Sequence, residues 1–164
     1  MASSDEMMMS AASLQLIEPT LQKAQTMPLF WETLGTVGPR DGGCLVVACA
    51  LQKAFGGELV GLHKKRGYNE PMQHILLELP VENNLIYADG GRVFYGQDAV
   101  VMWWDLMYST YGESELSPVG SWTLCKAQDY LGWNGINPKL EGGTIVDTLA
   151  KLYLDVYRGI ETVC

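Results

Sequence analysis

Histidine and cysteine are scarce in this chain, and basic residues are few. There are two histidines, His63 and His74, and four cysteines, Cys44, Cys49, Cys125 and Cys164. No C-x-x-C pair occurs and the cysteine spacings do not repeat, which argues against a zinc site or a disulfide framework. Cys44 and Cys49 stand five residues apart, so on a helix they point in different directions and make poor joint ligands. No metal and no cofactor is expected. Eleven basic residues face nineteen acidic ones, a net charge of −8. Such a field repels phosphates, and the one basic cluster, Lys64-Lys65-Arg66, reads as a solvated turn, so no nucleic-acid partner is expected. Nucleotide-binding glycine loops are absent as well. No apolar run approaches the ~18 residues that suggest a membrane span. Asp5 and Glu6 precede Met7-Met8-Met9 without a basic region, which does not fit a signal peptide. The expectation is a cytoplasmic protein with no membrane partner.

What is present suits a globular fold. Hydrophobic residues make up 48% of the chain and charged residues 18%. Residues 1–11 read as a frayed tail and 12–164 as one domain. Two short helices are expected from about Glu18 and Pro28, because each proline suits a first helical turn. GTVGPRDGG, residues 35–43, is a loop by its four glycines and proline. CLVVACALQKAF then predicts a helix, apolar on most sides and so buried, that Gly56-Gly57 terminates. Strands follow at 58–63, 72–79 (closed by Pro80) and 85–88, with a short one at 92–95. Helices are expected at 99–108 and 122–131, loops at 111–119 and 134–143. A last amphipathic helix starts at Thr144 and carries Ile145, Leu149, Leu152 and Val156 on one face, with Gly159 as its end. This order predicts an α+β fold: a buried helix on a small antiparallel sheet, with flanking helices.

One constellation carries chemistry. Cys44 stands where the glycine loop becomes a helix. Free backbone N–H groups and the positive end of the helix dipole favour a thiolate there. Gly42 and Gly43 let another backbone come close, and the Cys44 N–H can donate to an oxyanion. Cys49, among alanines and valines, reads as core. His74 begins the strand that holds Ile75, Leu77 and Leu79 on one face, and a histidine at a strand entrance is placed to act as general base. His63, beside Lys64 and Lys65, reads as solvated. Asp89 ends the next apolar strand, LIYADGG, and by itself reads as a turn or capping residue. If His74 pairs directly with Asp89 across the hairpin, with Leu76 opposite Tyr87 and residues 79–84 as connection, the carboxylate can orient the imidazole. Jointly the three read as nucleophile, base and orienting acid.

The segments DGGCLVVACALQKAFGGELVGL and PMQHILLELPVENNLIYADGG resemble small bacterial and phage members of the papain-like cysteine peptidase superfamily. There, Gly-Cys opens an alanine-rich helix ending in Gly-Gly. A histidine then starts a strand, and an acidic residue before glycine ends the next. The resemblance covers about residues 38–91. It implies a papain-like domain with the site between helix and sheet, and Cys44, His74 and Asp89 as its triad. It departs at one point: residues 36–41 hold no glutamine to donate to the oxyanion. Arg40, Asp41 and Gly43 are the expected oxyanion and substrate-binding positions, with Arg40 or a backbone amide as donor.

The function so implied is a thiol hydrolase cleaving a peptide, isopeptide or amide bond through a thioester, with a protein or peptide as substrate. Acyl transfer and deamidation use the same triad. The alternative is a degenerate scaffold acting as a protein-binding module or inhibitor. Trp103 and Trp104, with Met102 and Met107, read as core before binding ridge, and Trp122 and Trp133 as core before the lining of a substrate groove.

Overall fold

A computed structural model of the chain describes residues 15–35, 43–64, 74–81, 83–108, 112–119 and 144–163. The tail 1–11, the expected helix 122–131 and the connection 134–143 lie outside them. In chain order the elements are α1 (Ile17–Ala24), α2 (Pro28–Leu34), α3 (Cys44–Phe55), β1 (Glu58–Lys64), β2 (His74–Val81), β3 (Asn84–Ala88), β4 (Val93–Tyr95), α4 (Gln97–Tyr108), β5 (Ser114–Pro118) and α5 (Thr144–Val163). The architecture is α+β. The strands form one antiparallel sheet in the order β4-β3-β2-β1-β5. Among the described residues no helix is long and apolar enough to cross a membrane.

The alternation of strand residues sorts the molecule into layers. Leu59, Ile75, Leu77, Leu79, Ile86 and Ala88 share a core with α1, α2, α3 and α5. Val60, Leu76 and Tyr87 face the other way and pack with Val100 of α4. Helix α3 therefore lies against the sheet with α5 behind it, while α4 covers the opposite face. Leu45, Val46, Val47, Ala48, Ala50 and Leu51 of α3 are buried, as its sparse charge predicts. Its one lysine, Lys53, pairs with Asp147 of α5.

Several expectations need correction. The segment 111–119, expected as a loop, contains β5, which pairs with β1 from Val60↔Pro118 to Lys64↔Ser114. SELSP has weak strand propensity, so tertiary pairing at the sheet edge decides. Pro80 lies within β2 instead of closing it. The last β1–β2 pair is Glu58↔Glu78, so its missing N–H falls beyond the end of β1. Helix α5 continues through Gly159, at an interior cost of about 1 kcal/mol. Ile160 packs against the core one turn beyond Val156, and this burial offsets that cost.

The β2–β3 hairpin is also wound differently. Its register runs Leu77↔Ala88, Glu78↔Tyr87 and Val81↔Asn84, two residues away from a direct His74–Asp89 pair. The pairing continues to Val81↔Asn84, so the connection is shorter than 79–84. An even slip preserves side-chain parity, so Asp89 stays on the His74 face as a diagonal neighbour.

The α3–β1 junction depends on close backbone approach. Gly56 and Gly57 have φ of 78° and 94°, in the left-handed region. A Cβ on Gly57 would collide with the Glu78 carbonyl oxygen and come within 2.8 Å of Leu79 Cδ2, whereas one on Gly56 meets nothing. Gly56→Ala should therefore incur only the left-handed cost, roughly 1–2 kcal/mol. Gly57→Ala should lose clearly more in thermal denaturation followed by circular dichroism. Equal losses would contradict the close approach.

Candidate active site

Three elements end at one edge of the layered core. Cys44 is the first residue of α3, His74 the first of β2, and Asp89 follows β3 directly. The α3 N-cap is the buried Gly43, whose carbonyl accepts the Val47 N–H at 3.0 Å and which gives no side-chain cap. The opening N–H groups of α3, including that of Cys44, thus have no intrahelical partner. Arg40 and Asp41 lie outside the described residues.

The hairpin after β3 holds Asp89 by both ends. Its N–H donates to the Arg92 carbonyl at 3.0 Å. Its Oδ1 accepts the N–H groups of Gly91 and Arg92, each at 2.8 Å. Oδ2 is left facing His74, with His74 Nε2 at 3.6 Å. That separation is long for a hydrogen bond and short enough for an ion pair. Asp89 is therefore both a turn-capping residue and the neighbour of the histidine. Burial alone would raise the Asp89 pKa. The imidazole, then the Gly91 and Arg92 amides, outweigh it and hold the carboxyl below its usual range.

His74 is 3% exposed and stacks on Trp104 of α4, with ring centroids 5.5 Å apart and planes at 17°. Burial lowers its pKa, but Asp89 and then Cys44 act in the opposite sense and push it up to about 9. The imidazolium is the form this surrounding favours at neutral pH. The indole face adds cation–π attraction of about 0.5–2 kcal/mol. Trp104 extends to Trp103, which Arg92 covers at 5.4 Å.

Behind Asp89 lies Tyr153 of α5, fully buried, with no hydrogen-bond partner for its hydroxyl among the described residues. Burial, reinforced by the Asp89 charge, pushes this phenol upward and keeps it neutral. Cys49, one turn along α3, is a half-buried thiol that burial, with a smaller push from Cys44, raises to about 11.

The structure thus sets Asp89 against His74 and places Cys44 near enough to act on the imidazole electrostatically. It sets His63 apart: Nε2 meets Ser117 Oγ at 2.7 Å and Nδ1 meets the Lys64 carbonyl at 3.0 Å, a half-buried cross-strand link, not a solvated side chain. Trp104, read from sequence as core, is buried but also stacks on the histidine. Among the described residues no cluster of histidine, cysteine and carboxylate side chains could hold a metal ion. Chemically, the arrangement offers a thiol, an imidazole that can give and take a proton, and helix-start amides without intrahelical partners. Comparison with protein-family models, with curated proteins and with solved structures returns no match.

Two outcomes follow. His74 carries a raised pKa, so its stabilisation is fully present below about 6.5, the unfolded value, and fades as pH rises through about 9. Asp89 carries a lowered one, so its stabilisation is present above 3.8 and fades on acidification. The melting temperature should therefore fall between pH 6.5 and 9 in the wild type, and Asp89→Asn should remove most of that slope. An unchanged slope would refute the coupling. Tyr153→Phe deletes a hydroxyl that has no partner among the described residues, so it should leave the melting temperature equal or higher. A loss of about 1 kcal/mol or more would show that the hydroxyl is bonded.

Proposed function

We propose that this protein is a papain-like thiol hydrolase that cleaves a peptide, isopeptide or amide bond, with Cys44 as nucleophile, His74 as acid and base, and Asp89 as orienting carboxylate. The observation that carries the reading is geometric: buried His74 lies with Nε2 3.6 Å from the buried Asp89 Oδ2, beside the half-buried Cys44 that opens α3, and both neighbours push the imidazole pKa up. A histidine serving only as packing would be expected neutral, because burial disfavours its charge.

The steps balance on these groups. The Cys44 thiolate attacks the carbonyl carbon, and the electron pair of the C=O moves to oxygen. The Cys44 N–H, which has no intrahelical partner at the start of α3, would donate to that oxyanion. The tetrahedral species collapses, the C–N bond breaks, and the His74 imidazolium gives its proton to the leaving nitrogen. Neutral His74 then takes a proton from water, whose oxygen attacks the thioester. Collapse releases the acid and returns sulfur as thiolate and His74 as imidazolium. Asp89 keeps the ring oriented and stabilises its charged form throughout.

Iodoacetamide at mildly acidic pH tests the nucleophile. Cys44 should be carboxamidomethylated faster than Cys49 by roughly tenfold or more, read by peptide mass spectrometry. Cys44 labelling no faster than a free-thiol peptide would sink the reading. Cys44→Ala should abolish hydrolysis of any substrate found. Full biological activity in that variant would instead favour a binding scaffold.

A further inference from the structure

The turn that carries Asp89 does not hold itself. Its two glycines, Gly90 and Gly91, meet a side chain from a distant part of the chain. Gln25, just past the end of α1, donates its Nε2 hydrogen to the Gly90 carbonyl. A Cβ at Gly91 would stand 3.0 Å from Gln25 Nε2 and 3.3 Å from Oε1, so the amide lies flat against that residue. Gln25 is itself fixed. Its N–H donates to the Leu21 carbonyl at 3.2 Å, and its own carbonyl accepts the Trp31 indole N–H at 2.7 Å. An unbroken series of bonds thus runs from α2 through Gln25 and Gly90 to the amides of Gly91 and Arg92 that grip Asp89 Oδ1.

We propose that Gln25 is a positioning residue for the triad: its amide clamps the Gly90-Gly91 turn and thereby fixes the Asp89 carboxylate against His74. The inference rests on the thiol-hydrolase reading and adds to it a residue outside the segment that resembles papain-like proteins. It also gives Gly91 a reason to lack a side chain. Its backbone is not in the left-handed region, so the constraint is the space that the Gln25 amide occupies.

The clamp differs from simple packing in needing a donor. Methionine has nearly the length and shape of glutamine but cannot donate to the Gly90 carbonyl. In Gln25→Met the packing persists and the bond is lost. Loosening of the turn should reduce the pull of Asp89 on the imidazole, the leading influence that raises His74.

The test is a titration of His74 by its ring Cε1–H resonance in the full chain. The wild-type midpoint is expected near 9, and Gln25→Met should lower it by roughly one pH unit or more while the fold is retained by circular dichroism. Should Gln25→Met fail to fold, Gly91→Ala displaces the amide from the other side and should give the same fall. A variant that folds and titrates like the wild type overturns the clamp and leaves the triad standing. A wild-type midpoint at or below 6.5 overturns the triad reading and the clamp together.

Discussion

A buried carboxylate beside a buried imidazolium is the feature around which the rest is arranged. Taking two such charges out of water costs several kcal/mol per ion unless geometry and further hydrogen bonds compensate. Here the compensation is divided between the two oxygens of Asp89. Oδ1 is satisfied by two backbone amides of its own turn, and Oδ2 is left for His74. A carboxylate satisfied on one side by backbone retains a charge that can act on the other. Elements distant in sequence converge on this pair: α1 through Gln25, α4 through Trp104 and α5 through Tyr153.

The layering explains why the pair sits at the end of the sheet. Helix α3 lies on one face and α4 on the other, and His74 opens the central strand between them. From that position the ring can lie against Trp104 on the α4 side and interact with Cys44 at the α3 start. The two faces have separate apolar cores, so the sheet end is the place where they meet across polar groups. Among the described residues, both ring nitrogens of His74 and Oδ2 of Asp89 are buried there without a hydrogen-bond partner. Unsatisfied buried groups are costly, so the pair depends on its mutual attraction.

Much of this was legible in the sequence, for local reasons. Glycine pairs, a proline and an apolar helix mark the Cys44 junction, and period-two alternation marks β2 and β3. Asp89 before two glycines carries the signature of a side-chain-capped turn, and that same turn aims Oδ2 at His74. Register was not legible, because the hydrophobic pattern fixes parity and not the even offset. Strand β5 was hidden for the same kind of reason, since SELSP becomes a strand only through its pairing with β1. Gln25 left no sequence signal at all. Its partner stands 65 residues away, and a glutamine after a short helix looks like any surface residue. Trp104 is aromatic bulk in the sequence, and only the three-dimensional structure places its ring on the imidazole.

The central claim is that His74 and Cys44 act as one chemical unit. The most direct measurement is the rate at which iodoacetamide alkylates Cys44 at pH 6, in the wild type and in a folded His74→Asn variant. A fall of roughly tenfold or more is expected when the imidazole is removed. Equal rates in the two proteins would contradict it.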